Sequence, residues 1–588
     1  MNPLNFDDLL ARASAWRDAD PDPATAAELS ELIERRDAAA LAERFAGRLE
    51  FGTAGLRGIL GAGPNRMNRA VVRQTTAGLA RYLLSRDPRT PLRGVVIGRD
   101  ARRMSDAFAE DAASVFTAHD IPVFTFAHPV PTPLTSYATV KLGAAAGVMI
   151  TASHNPPEYN GYKVYWSNGA QIIPPHDHEI QAAIDLIEPA SAVPLLVQSQ
   201  ARARSLWRDI DPTVRRSYLD DILALRRHPG SGSDLGFAYT ALHGVGGELM
   251  LQALAEAGFT RVHPVFEQQQ PDGSFPTARF PNPEEPGALD LALALAQRVG
   301  ADLILANDPD ADRLGVAARA PSGEMRLLSG NEIGVLLGHY LLTQGQSSPP
   351  RPLVITTIVS SAQLGVIARK LGALYEETLT GFKWIGNRAL ALERDEGVRF
   401  VFGYEEALGY TVGTVVPDKD GVGAALVFAD LAGWCRARGV TVLDYLQEIQ
   451  REFGLFLSAQ RSFTFPGSEG ASTIARIMEG FRAKPPMRIG ELDLVGMKDY
   501  LRGVARAGRE ETRLELPSAN VIAYELQGGS RVTLRPSGTE PKIKYYFEVR
   551  EEMRAGEPAP AGRSRGEARL SRLADAFLDL ARQRGQPG

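Results

Sequence analysis

Four polar loops hold the residue types that could do chemistry. In Thr151-Ala152-Ser153-His154-Asn155-Pro156 a serine directly follows an apolar run and has a histidine beside it. Such a serine can act as a nucleophile or phosphate carrier, while Ser, Asn and Pro also suit a plain turn. No Gly-x-Ser-x-Gly surrounds it, which disfavours a hydrolase elbow. In Asp308-Pro309-Asp310-Ala311-Asp312-Arg313 three carboxylates recur at every second residue. Read as an extended loop, they point one way. Charge gathered like this is costly without a cation, and hard oxygen ligands suit Mg²⁺ or Ca²⁺. The other reading is a solvated acidic turn. A calcium-binding EF-hand loop is excluded, because Arg313 and Arg319 occupy the places of its required Gly and Glu. In Gly403-Tyr404-Glu405-Glu406-Ala407-Leu408-Gly409-Tyr410 the paired glutamates could accept from sugar hydroxyls or cap a helix. In Arg535-Pro536-Ser537-Gly538-Thr539-Glu540-Pro541, an arginine, two hydroxyls and the N–H groups of a glycine turn could cradle an anion. Residues 531–550 carry five basic and two acidic side chains. A hairpin with a solvated basic face is the alternative.

The elements that must position these loops alternate in type. Strands are expected at Gly94–Ile97, Ile121–Thr125, Ala145–Thr151, Gly236–Leu242, Ala301–Ala306, Pro352–Val359 and Val398–Phe402. Helices are expected at Asp106–Ala118 and Glu248–Ala257, and over Asp22–Gly47, where Asp22 caps and Pro23 opens the first turn. The alternation implies mostly parallel sheets covered by helices, which bind ligands beyond the carboxyl ends of their strands. The last stretch differs. Ile543, Tyr545, Phe547 and Val549 alternate with polar neighbours, the pattern of a half-buried antiparallel strand. Glu557–Gly566, rich in Pro, Gly and Arg, reads as a mobile loop before a final helix.

The chain has 588 residues, which suggests about four domains. Boundaries near 207, 320 and 458 divide it into 1–206, 207–319, 320–457 and 458–588. With 44% hydrophobic and 23% charged residues and a net charge of −5, it is a globular chain. Such a balance disfavours a disordered protein or a general nucleic-acid binder. Cys435 is the sole cysteine, so no internal disulfide is possible and a reducing compartment is expected. The N-terminus lacks signal-peptide character. The most apolar window, Gly287–Ala306, is interrupted by Asp290, Gln297, Arg298 and Asp302. A cytoplasmic protein with no membrane partner is expected.

These loops, in this order, resemble the motifs of the α-D-phosphohexomutases, the family of phosphoglucomutase and phosphomannomutase. TASHNP resembles the phosphoserine loop, DPDADR the metal loop, GYEEALGY the sugar loop and RPSGTEP the phosphate loop. FGTAGLRG at Phe51–Gly58, NGYKVY at Asn160–Tyr165, and PDGSFP and PNPE between Pro271 and Glu284 extend the likeness over nearly the whole chain. The resemblance implies an α/β fold: three domains of one mixed α/β topology and a smaller C-terminal α+β domain around a cleft.

It also implies that Ser153 is held as phosphoserine and that Asp308, Asp310, Asp312 and the Ser153 phosphate bind Mg²⁺. Arg57 and Lys163 would lie beside Ser153 as charge stabilisers or proton-transfer groups, with His154 the other proton-transfer candidate. Arg313 would aid the transferring phosphate. Lys383, Glu405 and Glu406 would contact the sugar. Arg535, Ser537, Gly538 and Thr539 would hold the phosphate that is not reacting. A sugar bisphosphate would activate the enzyme. Many members carry serine where this chain has Ala407, and Tyr404 and Tyr410 flank the glutamates. The long N-terminal segment, FGTAGLRG and GYEEALGY look like the branch with phosphopentomutase and glucose-1,6-bisphosphate synthase activities. The leading expectation is interconversion of glucose 1-phosphate and glucose 6-phosphate, with mannose phosphates as further substrates. Phosphopentomutase and glucose-1,6-bisphosphate synthase are alternatives. A noncatalytic sugar-phosphate sensor is a third, against which Ser153, the three aspartates and Arg535 all speak. The chain is expected to be a monomer or a dimer.

Overall fold

The computed structural model describes residues 6–52, 55–187, 189–345, 349–465, 470–537, 542–554 and 556–585. The chain forms two compact units. The first combines Met1–Leu328 with Gly381–Arg438, and the second combines Ser329–Thr380 with Gly439–Gly588.

The first unit opens with helices α1 (Phe6–Ala19), α2 (Pro23–Glu34) and α3 (Ala38–Phe45). Asp22 caps α2 as the sequence suggests, accepting from the Ala24 N–H at 3.0 Å. The single helix expected over Asp22–Gly47 is instead two. Arg36 adopts a left-handed φ of 50°, and Asp37 starts α3 by accepting from the Ala40 N–H at 3.0 Å. Leu9, Leu29, Leu41 and Phe45 pack the three together.

A six-stranded sheet follows: β1 (Leu56–Ile59), β2 (Val95–Arg99), β3 (Val123–Thr125), β4 (Ala146–Ile150), β5 (Tyr159–Trp166) and β6 (Trp207–Asp209), ordered β1-β5-β4-β2-β3-β6. Strands β4, β2, β3 and β6 run parallel, and β5 and β1 reverse direction in turn. Every residue of β4 is buried, as a parallel strand with both faces covered requires. Phe108, Ala112 and Phe116 of the helix Ser105–Ala118 pack on Val95, Ile97 and Val148. Gly161 is required where β1, β4 and β5 converge. A Cβ there would lie 2.6 Å from the carbonyl oxygens of both Leu56 and Thr151.

The second sheet contains β7 (Gly236–Thr240), β8 (Arg261–Pro264), β9 (Leu303–Ala306), β10 (Gly315–Arg319) and β11 (Met325–Leu327), ordered β11-β10-β9-β7-β8. In the second unit β12 (Pro352–Thr357) pairs in parallel with β13 (Leu374–Thr378). The chain then returns to the first unit as the hairpin β14 (Arg399–Glu405) and β15 (Gly409–Val412).

The remaining strands belong to the second unit: β16 (Leu455–Thr464), β17 (Arg488–Ile489), β18 (Leu492–Asp499), β19 (Val504–Ala507), β20 (Glu510–Arg513), β21 (Ile522–Leu526), β22 (Ser530–Pro536) and β23 (Lys542–Glu551). They form an antiparallel sheet ordered β16-β23-β22-β21-β18-β19-β20, with β17 paired to β18. Phe481 and Phe577, from the helices Gly470–Ala483 and Ala559–Gly585, stack at 4.9 Å over Leu534, Tyr545 and Phe547.

Two expectations need correction here. Strand β23 is not simply half-buried. Glu548, on its nominally polar face, is 3% exposed, because it accepts from the Ala362 N–H and from Arg531 Nε, each at 3.1 Å. Nor is Glu557–Gly566 a loop, since its helix begins at Ala559. Gly562 and Gly566 mark close packing. A Cβ would come within 2.5 Å of Met553 Sδ at the first and 2.7 Å of Leu457 Cδ1 at the second. Arg565 binds Glu551 and Glu557 to fix this end. Among the described residues no helix is long and apolar enough to cross a membrane.

Candidate active site

The site in the first unit is built at strand ends. Ser153 follows β4 in a left-handed conformation (φ 54°), and Thr151 Oγ1 accepts its N–H at 2.8 Å. Ser153 Oγ donates to Asp308 Oδ2 at 3.0 Å and lies 3.1 Å from His154 Nδ1. Arg57, on β1, donates to Asn155 Oδ1 at 3.1 Å. Lys163, on β5, is completely buried and donates to Asp310 Oδ2 at 2.7 Å and Asp312 Oδ2 at 2.9 Å. Thus Ser153, His154, Arg57, Lys163 and the three aspartates are brought together.

The acidic loop is not extended. Ala311 turns left-handed and donates its N–H to the Asp308 carbonyl at 2.8 Å. This turn, rather than strand alternation, gathers the carboxylates, whose ligand atoms lie within 4.8 Å of one another. The His243-Gly244-Val245-Gly246-Gly247 loop supports it. Val245 donates its N–H to the Pro309 carbonyl at 2.8 Å, and a Cβ on Gly244 would sit 2.4 Å from Pro309 Cα. His243 Nε2 itself lies 2.8 Å from Thr277 Oγ1.

The donors of the triad fit a hard cation. Asp308 Oδ1 is taken by the Arg313 N–H at 3.0 Å. Asp310 Oδ2 accepts from Thr132 and Lys163, and Asp312 Oδ2 from Lys163 and Lys419. That leaves Asp310 Oδ1 and Asp312 Oδ1 buried with no hydrogen-bond partner, which is costly unless a cation meets them. Burial, then repulsion from Asp310 and Asp312, pushes the Asp308 carboxyl well above the usual carboxylate range. Burial also opposes ionisation of Asp312, but Lys163, Lys419 and Arg313 outweigh it and hold that carboxyl low. Burial, reinforced by Arg313 and Arg57, holds His154 well below the ordinary histidine value, so at neutral pH its ring is uncharged.

The sugar-loop residues sit on the β14–β15 hairpin. Glu405 Oε1 accepts the Gly381 N–H at 2.7 Å, and burial raises its pKa against the pull of Lys419. Glu406 lies in the turn, half-buried. Tyr404 and Tyr410 face each other across the hairpin with rings stacked at 6.3 Å and no exposure, so they are core residues. Ala407 contributes its carbonyl, which accepts from Arg313 at 2.8 Å. Lys383 is engaged by Asp177 Oδ2 at 3.5 Å.

Sequence reasoning missed Lys419. It lies between Asp418 and Asp420, is 6% exposed, and reaches Asp312 Oδ2 at 3.2 Å. A lysine flanked by two acids just before the small-residue run Gly421–Ala425 was the available signal. A Cβ on Gly421 would come within 2.3 Å of the Arg313 carbonyl, so the glycine lets the helix Gly421–Ala437 close on the acidic loop.

Asp420 caps that helix. Its Oδ1 accepts from Val422, Gly423 and the Tyr218 hydroxyl, and burial pushes its carboxyl up to about 6. A raised folded-state value favours the fold most below the ordinary value of 3.8, and that contribution disappears as pH rises through about 6. Asp420→Asn retains an acceptor for all three donors. It is expected to flatten the stability-versus-pH curve between about 4 and 6. Urea unfolding across that range checks this, and an unaltered slope would refute it.

The fourth loop belongs to the second unit. Arg535 lies opposite Lys544 in the β22–β23 ladder. Like charges directly opposed are unfavourable. The Ser537 N–H is not free as expected, because it closes the hairpin onto the Lys542 carbonyl at 2.7 Å. Gly538 and Thr539 lie outside the described residues.

The chain matches the four domains of one family in order: phosphoglucomutase/phosphomannomutase alpha/beta/alpha domain I over residues 48–190, domain II over 216–323, domain III over 329–453, and the C-terminal domain over 497–560. It is 38% identical over 568 residues to the phosphopentomutase of Mus musculus, covering 93% of this chain and 91% of that one. It is 39% identical over 488 residues to a Haemophilus influenzae protein named “Probable phosphomannomutase”, covering 82% and 93%. The open form of pp63/parafusin, a phosphoglucomutase from Paramecium, shares the fold, with a TM-score of 0.67 at 17% identity over 92% of this chain and 95% of that one. A serine beside a metal-competent acid triad, on mixed α/β sheets that match all four domains, makes this chain a phosphohexomutase-type enzyme, a member of the phosphoglucomutase/phosphomannomutase family.

Proposed function

We propose that this enzyme interconverts glucose 1-phosphate and glucose 6-phosphate through a phosphate carried on Ser153 Oγ, with mannose phosphates as further substrates. The observation that carries the reading is the position of Ser153 Oγ, which touches both Asp308 and the neutral ring of His154. In the first half-reaction the bond from phosphorus to Ser153 Oγ breaks and one forms to the free sugar hydroxyl, whose proton passes to a base while Ser153 Oγ takes up a proton. The bisphosphate turns over, Ser153 Oγ gives up its proton as the other phosphate returns to it, and the sugar oxygen left behind takes up a proton.

His154 Nδ1 is suited to the proton transfers. Lys163 is suited to holding charge, since both its close partners are carboxylates. Arg57 and Arg313, each with a buried Nε that makes no hydrogen bond, are suited to the transferring phosphoryl group. Mg²⁺ held by Asp308, Asp310 and Asp312 would supply positive charge to offset that of the phosphoryl oxygens. Glu405 and Glu406 are assigned to sugar hydroxyls, with Lys383 as a further sugar contact. Arg535, Ser537, Gly538 and Thr539 are assigned to the phosphate not reacting. A sugar bisphosphate would load Ser153 and so activate the enzyme.

Assaying glucose, mannose, ribose and deoxyribose 1-phosphates, each with a bisphosphate activator, tests the reading. The highest kcat/KM is expected for glucose 1-phosphate. A clear preference for a pentose would overturn the hexose assignment, and no isomerisation of any of them would overturn the mutase. The pentose reading is the second one because of the likeness to a phosphopentomutase and the absence of a hydroxyl at Ala407. For Arg535→Ala, KM is expected to rise roughly tenfold or more while kcat changes less, as loss of a charge-assisted phosphate contact implies. An unchanged KM would count against that role.

A further inference from the structure

Arg102 lies in Gly98-Arg99-Asp100-Ala101-Arg102-Arg103, the loop that follows β2, and its side chain is 1% exposed. Its guanidinium spends its donors on carbonyl oxygens of the Ser153 loop. Nη2 donates to Ser153 O at 2.6 Å and Asn155 O at 2.5 Å, and Nη1 donates to Pro156 O at 2.8 Å and Tyr159 O at 3.2 Å. Nε lies 3.3 Å from Asp100 Oδ2. Asp100 is itself held, since its Oδ1 accepts from the Arg102 N–H at 3.0 Å and from Ser105 Oγ at 2.7 Å. The other side of the guanidinium is covered by the Phe275 ring, 4.8 Å from Cζ.

Phe275 belongs to Pro271-Asp272-Gly273-Ser274-Phe275-Pro276, a segment to which the reaction assigns no role. It holds a left-handed φ of 47°, uncommon for an aromatic residue. Gly273 packs so closely on the loop after β2 that a Cβ would meet Ala101 O at 2.6 Å and Arg102 Cα at 2.7 Å. Two non-glycine residues are therefore kept in an unfavourable backbone region, Ser153 and Phe275, with Arg102 between them.

We propose that Arg102, clamped by Phe275, is a positioning residue that fixes the backbone of the Ser153 loop and so aims Ser153 Oγ for phosphoryl transfer. A planar five-donor fork can reach four carbonyls at once, and a lysine cannot reproduce that geometry. The guanidinium acts through the backbone and contacts no reacting atom. The proposal rests on the reading of Ser153 as the phosphate carrier.

The test uses the full-length enzyme and Arg102→Lys. It measures kcat and KM for glucose 1-phosphate, Tm, and the rate at which glucose 1,6-bisphosphate adds phosphate to the protein by intact mass. The expected result is kcat down roughly a hundredfold, KM within about twofold, and phosphate loading slowed in parallel, as a small misplacement of a reacting group implies. Wild-type kcat and loading rate in this variant would overturn the proposal. So would a fall in Tm with kcat and KM lost together, which marks a merely structural residue. If Arg102→Lys does not fold, Phe275→Leu decides. It keeps all four carbonyl contacts and is expected to lower kcat roughly three- to tenfold at unchanged KM, and an unaltered kcat would refute the clamp. A wild-type enzyme that never carries phosphate would defeat the underlying carrier reading, an outcome distinct from all of these.

Discussion

Ser153→Ala is expected to lower turnover by at least ~10⁴-fold, the scale on which removing a covalent carrier acts. If phosphate travels from enzyme to sugar and back, no other atom at this position can replace Oγ as its resting place. His154 would lose its partner at 3.1 Å and Asp308 its donor at 3.0 Å, but neither can take over the role in the same geometry. The variant is not expected to fail by unfolding, because the Ser153 N–H bond to Thr151 and the carbonyl bond to Arg102 are made by its backbone. Two measurements check this together. Intact mass should show ~80 Da on the wild type that is absent from the variant, and the coupled mutase assay should show the loss of turnover. A variant that keeps more than a few per cent of wild-type activity would remove Ser153 from the reaction.

Asp310→Ala is expected to cost roughly 10²–10³-fold in kcat, the scale of losing one preorganised charge contact. Asp310 has three functions at once. Its Oδ2 accepts from Thr132 and from Lys163, and its Oδ1 is one of the two triad oxygens buried without a hydrogen-bond partner, which a cation would satisfy. Removing it leaves Lys163 with Asp312 alone, so the ammonium charge is less well offset and the cation loses a ligand. A chelator titration of the wild type provides the second arm. Activity should fall with free divalent metal and return on adding Mg²⁺. Near-normal turnover in metal-free buffer would end the metal assignment, and full activity in Asp310→Ala would end the carboxylate's part in it.

How much of this was legible before the structure depends on how local each cause is. Ser153, His154 and the three aspartates advertise themselves, because a strand end followed by a polar turn is encoded within a few residues. The geometry of the acid loop was less legible. Alternate spacing suggested an extended segment, whereas a left-handed Ala311 does the gathering. Asp37 was missed as a second helix start because Ala-rich sequence on both sides continues the same helical pattern. The glycines at 562 and 566 looked like loop signals, although they mark close approach of a helix to Met553 and Leu457. Thr132 and Arg102 carry no local pattern that marks them, and the flanking acids of Lys419 are only a weak one. Each acquires its role from a partner far along the chain, and only tertiary packing reveals it.

The site-bearing unit is interrupted in sequence, since the chain leaves it at Leu328 and re-enters at Gly381. During synthesis, which runs at roughly 5–20 residues per second, the aspartates and Lys163 emerge long before Lys419. A nascent chain ending near Leu328 would already hold the acid loop, yet Asp312 would have only one of its two ammonium partners, and the Ala407 carbonyl that fastens Arg313 would not exist. Completion of the charge balance is therefore timed by translation: the ribosome must pass the whole of 329–380 before the last cation can be delivered. For the same reason no contiguous fragment contains this whole unit without also containing 329–380, and a cut after Leu328 would separate the acid cluster from a residue that neutralises it.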